Sequence, residues 1–302
     1  MVNLPDGVFI NNLIEDLKNY SWEAADILLD YSKKIKNLSF KKEILKSLDL
    51  KDPVTKADLK VNETIIKNIQ KNYININWKI LSEENVKNEL GDRHIESEWL
   101  WILDPLDGTK DFIQGSENYA MHLALNYRQK ALIGVVLIPE RDELWISDGE
   151  KTWCEGRLIK HKQNILPEKK FLNEMVLVTS KNHRNKTLKN LIDKIGFKEV
   201  KIMGSIGCKI ASILRGESDI YICLSLPGQN SPKDWDFCAP EVILKAAGGK
   251  ITNLDNNELI YGQSDFKQGG IIVASNNKLT HESICLEIEE IIRKNDIYSI
   301  RN

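Results

Sequence analysis

Apolar residues in the first part of the chain recur at the spacing of an amphipathic α-helix. We predict one or two helices over residues 8–38, which pack one face against the rest of the protein. A further helix is predicted to begin near Thr55 and to run through Val61 and Ile69. The first prediction depends on the apolar positions Ile10, Leu13, Leu17, Ala24, Ile27, Leu28 and Tyr31.

The short apolar runs that follow are typical of β-strands. Residues 78–81 form a predicted strand that ends at the acidic pair 83–84. Residues 99–103 form an almost wholly apolar strand. We expect it to stop at Asp104, because Pro105 lacks the N–H that a central strand needs. Three more runs predict an antiparallel meander without an obvious catalytic side chain, over residues 119–127, 131–138 and 143–147.

After a charged stretch at residues 167–170, strands and helices alternate. We therefore predict a layered α/β fold (α+β layered) in two halves, an N-terminal α+β half over residues 1–170 and a C-terminal α/β half over residues 171–302. Glycines at the expected C-caps support the helix ends. The predicted strands are 176–179, one that ends at 203, 219–224 and 270–275, and the predicted helices are 186–195, 208–214, 237–247 and one near the C-terminus.

The composition is that of an ordinary globular protein of 302 residues with a formal net charge of -2. Because the chain has no global positive field, we expect neither a nucleic-acid polymer nor an anionic membrane as a partner. The five cysteines include no Cys-x-x-Cys pair, which argues against a disulfide framework or a zinc site. The chain also lacks an apolar run of the roughly 20 residues that span a bilayer. Together these features predict a soluble cytoplasmic protein.

The strongest chemical signal is the sequence Asp104-Pro105-Leu106-Asp107-Gly108-Thr109. Two carboxylates three residues apart lie on a turn that leaves a strand and enters a helix, so one turn can present both to the same pair of metal ions. Magnesium takes hard oxygen ligands and is usually bound by a few carboxylates together with the phosphate of the substrate. Carboxylates from other segments must therefore join them, and the candidates are Glu83, Glu84 and Asp236.

The same turn offers a place for phosphate. Gly108 allows the backbone to come close to a ligand, and the predicted helix start at Thr109 has unpaired N–H groups at the positive end of the helix dipole. Hydrolysis of a phosphate monoester needs an acceleration of up to about 10^21-fold. A lone acid–base pair does not supply this, whereas paired metal ions polarise the phosphoryl group and ionise water.

Each of these acids also has a purely structural interpretation. Asp107 could cap the helix that follows it, and Asp236 could cap the helix predicted from residue 237. Thr55 with Asp58 resembles a capping box, and the acidic pair 83–84 is typical of a solvated turn. Taken singly, these interpretations are favoured. The order of the whole set along the chain favours chemistry.

That set resembles the inositol monophosphatase superfamily of lithium-sensitive phosphatases. The matching blocks occur in the family's order over residues 52–241, and the last block is most similar to the 3'(2'),5'-bisphosphate nucleotidase branch. The blocks are Asp52-Pro-Val-Thr-Lys-Ala-Asp58, Ser82-Glu83-Glu84, Trp101-Ile-Leu-Asp104-Pro-Leu-Asp107-Gly-Thr109 and Asp234-Trp235-Asp236-Phe-Cys-Ala-Pro-Glu241. The resemblance implies an αβαβα sandwich, two or three Mg²⁺ ions in each active site, inhibition by lithium, and a monomer or homodimer.

The resemblance also implies a role for each matched acid. One magnesium ion would be bound by Glu83, Asp104 and the carbonyl oxygen of Leu106. A second would be bound by Asp104, Asp107 and Asp236, so that Asp104 bridges the two ions.

The catalytic groups follow from the same resemblance. Asp58 and Thr109 would form the dyad that orients and deprotonates the attacking water, and backbone groups of Gly108 and Thr109 would hold the phosphate. A third, weaker magnesium site is implied near Glu83 and Asp58. Glu84 would lie outside the metal ligands.

Two further elements match the nucleotide-binding segments of the branch. They are Ser180-Lys-Asn-His183 and Gly204-Ser-Ile-Gly-Cys-Lys209, which would place Ser180, His183, Ser205 and Lys209 against the substrate. His183 could instead cap a loop, and Lys209 could be a surface residue of a helix. Ser205 stands where the animal enzymes usually have glycine, which changes the fit around the nucleotide.

The activity that the resemblance implies is hydrolysis of the 3'-phosphate of adenosine 3',5'-bisphosphate, a by-product of sulfate assimilation, to AMP and phosphate. Water is the nucleophile, and no covalent phosphoenzyme forms. The nearest alternative is an inositol monophosphatase or sugar bisphosphatase that uses the same metal ions. A catalytically silent nucleotide-binding protein is a further alternative, but such a protein has no physical need of the whole acid set.

Overall fold

The structure of the protein, a computed structural model, describes residues 4–36, 56–87, 95–158, 170–180 and 185–297. Its helices are α1 (Ile10–Lys36), α2 (Lys56–Asn72), α3 (Glu83–Asn85), α4 (Thr109–Ile113), α5 (Lys186–Ile195), α6 (Ile206–Leu214), α7 (Asp234–Ala246) and α8 (His281–Lys294). Its strands are β1 (Lys79–Ser82), β2 (Trp99–Asp107), β3 (Ala120–Tyr127), β4 (Lys130–Ile138), β5 (Glu143–Ser147), β6 (Thr152–Glu155), β7 (Val176–Ser180), β8 (Glu199–Met203), β9 (Ile220–Ser225), β10 (Lys250–Asn253) and β11 (Gly270–Ser275). The short strands β6 and β10 were not predicted.

The strands form two sheets. In the first sheet the order is β1-β2-β3-β4-β5-β6, with β1 parallel to β2 and every later pair antiparallel. The predicted meander is thereby confirmed as β3, β4 and β5. In the second sheet the order is β10-β11-β9-β7-β8, and β7 is parallel to both β8 and β9. The predicted division of the chain into halves at residue 170 stays a prediction.

Successive side chains of each strand lie on opposite faces of the sheet, so each sheet contributes to two cores. One face of the first sheet, including Trp101 and Leu123, packs with α1 and α2. Its other face, including Ile102 and Ala124, packs with α6, α7 and one face of the second sheet. The remaining face of the second sheet, including Leu177, packs with α5 and α8. The layers therefore follow one another as αβαβα, as predicted.

The amphipathic pattern near the N-terminus forms a single helix, α1, of 27 residues. Its buried positions Leu13, Leu17, Ala24 and Leu28 are separated by four or seven residues, which places them on one face. Lysines in the last turn lie at the negative end of the helix dipole, where cations are favoured. In the described ranges, no helix combines the length and the apolar composition needed to cross a membrane.

The strand that we expected to stop at Asp104 continues as β2 to Asp107. Asp104 pairs with His122 of β3, and Asp107 pairs with Ala120, so β2 contains one more residue than its partner in this interval. The extra residue makes a β-bulge. Pro105 lies inside the bulge, where the missing N–H is tolerated, so the predicted end of the strand was wrong.

Helix α7 begins at Asp234, three residues earlier than predicted. The N–H of Asp234 donates to the carbonyl of Phe266 (2.9 Å), which fixes the start of the helix. Asp236 therefore lies in the first helical turn and is not the cap residue. Its Oδ2 still accepts the N–H of Lys233 (2.6 Å), so it satisfies one of the unpaired donors at the helix N-terminus.

Candidate active site

Three aspartates come together where β2 ends and α7 begins. Asp104, Asp107 and Asp236 each offer one carboxylate oxygen, and these oxygens all lie within 4.8 Å of one another. The bulge in β2 presents the first two acids, and α7 packs across β3 and β4 of the same sheet, which brings the third acid beside them. Asp104 is 1% exposed and Asp107 is 8% exposed, so the cluster is largely shielded from water.

Asp107 caps a helix, but a different one from the helix that we considered. Its Oδ2 accepts the N–H groups of Ile206 (2.5 Å) and Gly207 (3.1 Å) at the start of α6. The hydroxyl of Ser205 donates to the same oxygen (2.7 Å). Because these donors come from a segment about a hundred residues away in the chain, the capping also joins the end of β2 to the start of α6.

The other two aspartates are oriented by nearby backbone groups. Oδ1 of Asp104 accepts the N–H of Leu106 (3.0 Å), and Oδ2 of Asp236 accepts the N–H of Lys233. Among the described residues, only one oxygen of each of the three carboxylates accepts a backbone N–H. The second oxygen of each carboxylate therefore has no backbone donor among these residues.

The electrostatics of the cluster favour a cation. Burial raises the pKa of Asp104 well above its ordinary value, and the charges of Glu83, Asp107 and Asp236 raise it further. Burial, followed by the charge of Asp107, raises the pKa of Asp236 in the same way. Buried carboxylates this close repel one another unless some of them bind a proton or a positive charge lies among them. Since the candidate ligand atoms are all hard oxygens, the residues fit Mg²⁺ better than a soft metal.

Glu83 lies in α3, directly after β1, and approaches the cluster from one side. It is not one of the three acids whose oxygens lie within 4.8 Å of one another. The pKa of Glu83 is raised, chiefly by burial, while the ammonium of Lys87 at 2.9 Å counteracts this effect. Lys87 also pairs with Glu84 (3.1 Å), which is 2% exposed. For Glu84 the interpretation as a solvated turn residue was therefore wrong.

Gly108 and Thr109, which are predicted to bind phosphate and water, directly follow the bulge, and Asp58 lies in α2. The hydroxyl of Thr109 donates to the carbonyl oxygen of Leu106 (3.0 Å), and Asp58 is buried in the first turn of α2. Gly108 has a φ of 87°, which other residues rarely adopt. A Cβ atom there would lie 2.8 Å from the carbonyl oxygen of Asn118, so glycine is required at this position. The predicted Asp58–Thr109 dyad stays a prediction.

Lys209 is fully buried in α6, so its interpretation as a surface residue was wrong. Its ammonium donates to the carbonyl of Gly204 (2.8 Å) and lies 5.3 Å from the centre of the Tyr221 ring. Burial lowers the pKa of Lys209, and the nearby carboxylate of Asp107 opposes this effect. Ser180 is buried at the end of β7. His183, a predicted substrate contact, lies outside the described residues. So do Asp52 and Thr55 of the first sequence block.

A cleft of about 1060 Å³ opens beside the acid cluster. Proteins typically bind small molecules in pockets of about 300–1,000 Å³, so a nucleotide-sized ligand fits here. The cleft lies at the ends of β2, β7 and β9, and its lining contains several lysines. The residues that line the cleft include Glu83, Asp107, Gly108, Thr109, Lys110, Ser180, Lys209, Lys233, Asp236 and Lys267.

One buried polar residue beside the cluster was missed by the sequence reasoning. His122 lies on β3, within the meander where no side chain stood out as catalytic. Nδ1 of its ring is 3.2 Å from the carbonyl oxygen of Trp235, and Nε2 is 3.3 Å from Oδ2 of Asp107. Burial lowers the pKa of His122, so the ring is neutral at pH 7. A histidine among the apolar residues of a central strand is the signal that could have found it.

The sequence is similar to those of known phosphatases. A model of the inositol monophosphatase family matches residues 12–293. The 3'(2'),5'-bisphosphate nucleotidase CysQ of Buchnera aphidicola is 32% identical over 234 residues, which cover 77% of this chain and 80% of the relative. The fructose-1,6-bisphosphatase/inositol-1-monophosphatase of Thermotoga maritima is 27% identical over 252 residues, which cover 82% and 87%.

The fold leads to the same class. A solved structure of inositol monophosphatase from Anabaena (Nostoc) superposes with a TM-score of 0.69 at 22% identity, covering 93% of this chain and 96% of that one. The layered fold and the buried acid cluster are those of a metal-dependent phosphatase. The chain belongs to the inositol monophosphatase family, and the resemblance found in its sequence is confirmed.

Proposed function

We propose that the protein is a magnesium-dependent 3'(2'),5'-bisphosphate nucleotidase. It removes the 3'-phosphate of adenosine 3',5'-bisphosphate and releases AMP and phosphate. The observation that carries this proposal is the convergence of Asp104, Asp107 and Asp236 at a cleft lined by lysines. The nucleotidase CysQ, at 32% identity over most of both chains, supports this choice of substrate.

The metal ligands would be those that the family resemblance implies. Glu83, Asp104 and the carbonyl of Leu106 would hold one Mg²⁺. Asp104, Asp107 and Asp236 would hold a second. Bound magnesium supplies polarisation of the phosphoryl oxygens and a lowered pKa for a bound water molecule.

Asp58, Gly108 and Thr109 would act on the attacking water and on the phosphate. Thr109 and Asp58 would form the dyad that orients and deprotonates the attacking water, and the proton would pass to the carboxylate of Asp58. The left-handed backbone at Gly108 allows the first N–H groups of α4 to approach a phosphate oxygen closely. Donors that are already aligned need no reorganisation as negative charge shifts during phosphoryl transfer.

The lysines that line the cleft favour a substrate with more than one phosphate. Lys110, Lys209, Lys233 and Lys267 line it in addition to the acids. A lysine ammonium beside the phosphate that is not cleaved would lower the free energy of binding of a bisphosphate relative to a monophosphate. Ser180, His183, Ser205 and Lys209 stay the predicted contacts of the nucleotide.

An inositol monophosphatase or sugar bisphosphatase is the second candidate. The relative from Thermotoga maritima carries both of these activities in its name and covers more of this chain than CysQ does. The same acids would serve either reaction. The difference would lie in the lining of the cleft and not in the acid cluster.

Release of inorganic phosphate by the purified protein tests the proposal. We would compare adenosine 3',5'-bisphosphate, inositol 1-phosphate and fructose 1,6-bisphosphate at equal concentrations with Mg²⁺, and repeat each assay with a chelator and with lithium. The expected result is the largest kcat/KM for the nucleotide, lost with the chelator and reduced by lithium. A larger kcat/KM for either sugar phosphate would overturn the choice of substrate, and magnesium binding without any turnover would favour a silent protein.

A further inference from the structure

The buried histidine His122 contacts all three segments that carry the aspartates. We propose that it is a positioning residue, which holds Asp104, Asp107 and Asp236 at the separation that a divalent cation needs. This inference rests on the proposed function, since it assigns a role to a residue that would not itself bind metal or substrate.

The first contact is through the sheet, and the second is a hydrogen bond. In the antiparallel pairing of β2 and β3, His122 lies directly opposite Asp104. On the other side, Nδ1 of the ring is 3.2 Å from the carbonyl oxygen of Trp235, the residue before Asp236. A carbonyl oxygen only accepts, so Nδ1 carries the proton of the ring. The bond fixes the first turn of α7 relative to β3.

The third contact is with Asp107. Nε2 lies 3.3 Å from Oδ2 of this carboxylate. Among the described residues, Nε2 has no hydrogen-bond partner of acceptable geometry. Because Nδ1 carries the proton, Nε2 presents a lone pair to Oδ2, so this contact is a steric limit and not a hydrogen bond, whereas the N–H groups at the start of α6 do bind Oδ2. Asp107 cannot turn toward β3 without meeting the ring.

The packing leaves the ring one position. His122 is 1% exposed, and Gly207 of α6 lies against it. A Cβ atom on Gly207 would be 2.2 Å from Nε2 and 2.8 Å from Cγ1 of Val136. Glycine at this position therefore makes room for the imidazole, and the close packing restricts the ring to its observed position.

Two substitutions separate the hydrogen bond from the volume of the side chain. His122→Leu fills much of the space but cannot donate to Trp235, whereas His122→Asn keeps an N–H donor near the position of Nδ1. We would measure Mg²⁺ binding by isothermal titration calorimetry without substrate. Residues that orient metal ligands typically contribute about 10–100-fold to metal affinity. We expect His122→Leu to weaken Mg²⁺ binding by about tenfold or more, and His122→Asn to stay within about threefold of the wild type.

A second buried histidine provides the matched control. His281 of α8 is fully buried, and its ring nitrogens lie 2.7 Å from the hydroxyl of Ser275 and 2.8 Å from that of Thr252. It belongs to the outer helix layer and touches none of the three aspartates. His281→Leu is expected to lower the melting temperature and to leave Mg²⁺ affinity unchanged.

The outcomes separate this inference from the proposed function. Wild-type affinity in a folded His122→Leu variant would overturn the positioning role, and so would an equal loss of affinity in His281→Leu. If His122→Leu does not fold, His122→Met, whose flexible side chain adapts to the space and also cannot donate to Trp235, takes its place and is expected to weaken Mg²⁺ binding by a similar factor. Unchanged affinity in that variant would likewise contradict the inference. No Mg²⁺ binding by the wild-type protein would refute the metal site itself.

Discussion

Helix α7 carries acids of two kinds within eight residues. Asp236 lies among other carboxylates, and one of its oxygens accepts a single backbone N–H. Asp234 accepts the N–H of Gly262 (2.6 Å) on one oxygen and the side-chain amide of Gln268 (2.7 Å) on the other. Asp234 is buried and Asp236 is partly exposed, and their neighbours differ: other carboxylates lie beside Asp236, whereas both oxygens of Asp234 accept hydrogen bonds.

Glu241 lies about two turns after Asp234 in the same helix and resembles it, because its carboxyl also accepts a hydrogen bond from a donor. Its carboxyl forms a short hydrogen bond with the hydroxyl of buried Tyr261. Burial raises the pKa of Glu241 to about 7 and that of Asp234 to about 6. The comparison shows that burial and a raised pKa do not identify a functional acid. What distinguishes Asp236 is a neighbourhood of other acids, whose charges must be balanced by bound protons or by a cation.

The largest difference between the two kinds of acid should appear in turnover. Asp104→Asn keeps the shape of the side chain but removes one charge from the cluster. Because metal ions supply several kcal/mol of transition-state stabilisation, we expect kcat to fall by about 10^3-fold or more. Phosphate release under saturating Mg²⁺ measures this. Turnover within tenfold of the wild type would contradict the metal-bridging role of Asp104.

The pH dependence of stability sharpens the comparison for Glu241. Its pKa in the folded protein lies above the ordinary value of 4.5, so the folded state binds more protons between about pH 4.5 and 7. The stabilisation is present below pH 4.5 and is lost as the pH rises through 7. Glu241→Gln removes this dependence. We therefore expect the difference in unfolding free energy between the two proteins to change by up to about 3 kcal/mol over this window.

Urea unfolding at several pH values between 4.5 and 7.5, with a chelator present, measures that difference. The chelator keeps the metal site out of the comparison. A constant difference between Glu241→Gln and the wild type across the window would show that Glu241 does not titrate there.

Magnesium should stabilise the wild type and not the cluster variant. A ligand present at 100 times its dissociation constant adds about 2.7 kcal/mol to the stability of the folded state. For a chain of this length, that raises the melting temperature by about 4 °C. Without metal, Asp104→Asn should melt at or above the wild-type temperature, because it has less repulsion to overcome. A wild-type protein that melts at one temperature with and without Mg²⁺ would count against the site.

The smallest effect is expected from the other acid of the same turn. Asp234→Asn replaces an acceptor oxygen by an amide that faces a donor, which costs about 1–3 kcal/mol. Since Asp234 binds Gly262 and Gln268 and not the acid cluster, kcat should stay within about threefold of the wild type. Thermal unfolding and phosphate release together measure this. A loss of turnover as large as that of Asp104→Asn would remove the distinction between the two kinds of acid.

Much of the fold follows from local patterns. The alternation of apolar residues gave the meander, and helix α5 and strand β11 have the predicted bounds, because turn residues and caps mark their ends. Other boundaries differ from the prediction, among them the start of α6, which lies at Ile206 instead of residue 208, and two of them depend on distant contacts. The bulge around Pro105 depends on the register with β3, and the start of α7 depends on the contact between Asp234 and Phe266, which lies outside the helix.

For the candidate site too, one part could be predicted from the sequence and another part could not. The acids could be named because their spacing in the sequence is characteristic of a known family. The contacts that orient them could not, since the capping of α6 by Asp107 and the contact of His122 with Trp235 join residues about a hundred positions apart. Nothing in the local sequence of β3 says which way His122 faces until α7 is packed against the sheet.

The capping of α6 by Asp107 also has a consequence for biosynthesis. During translation Asp107 emerges from the ribosome long before Ile206 and Gly207 have been synthesised. The N–H groups of these two residues bind its carboxylate. Until then the acid is hydrated and free to rotate, and the partner acid of α7 does not yet exist. A growing chain therefore carries no assembled acid cluster until synthesis has passed Asp236, the last of the three aspartates along the chain.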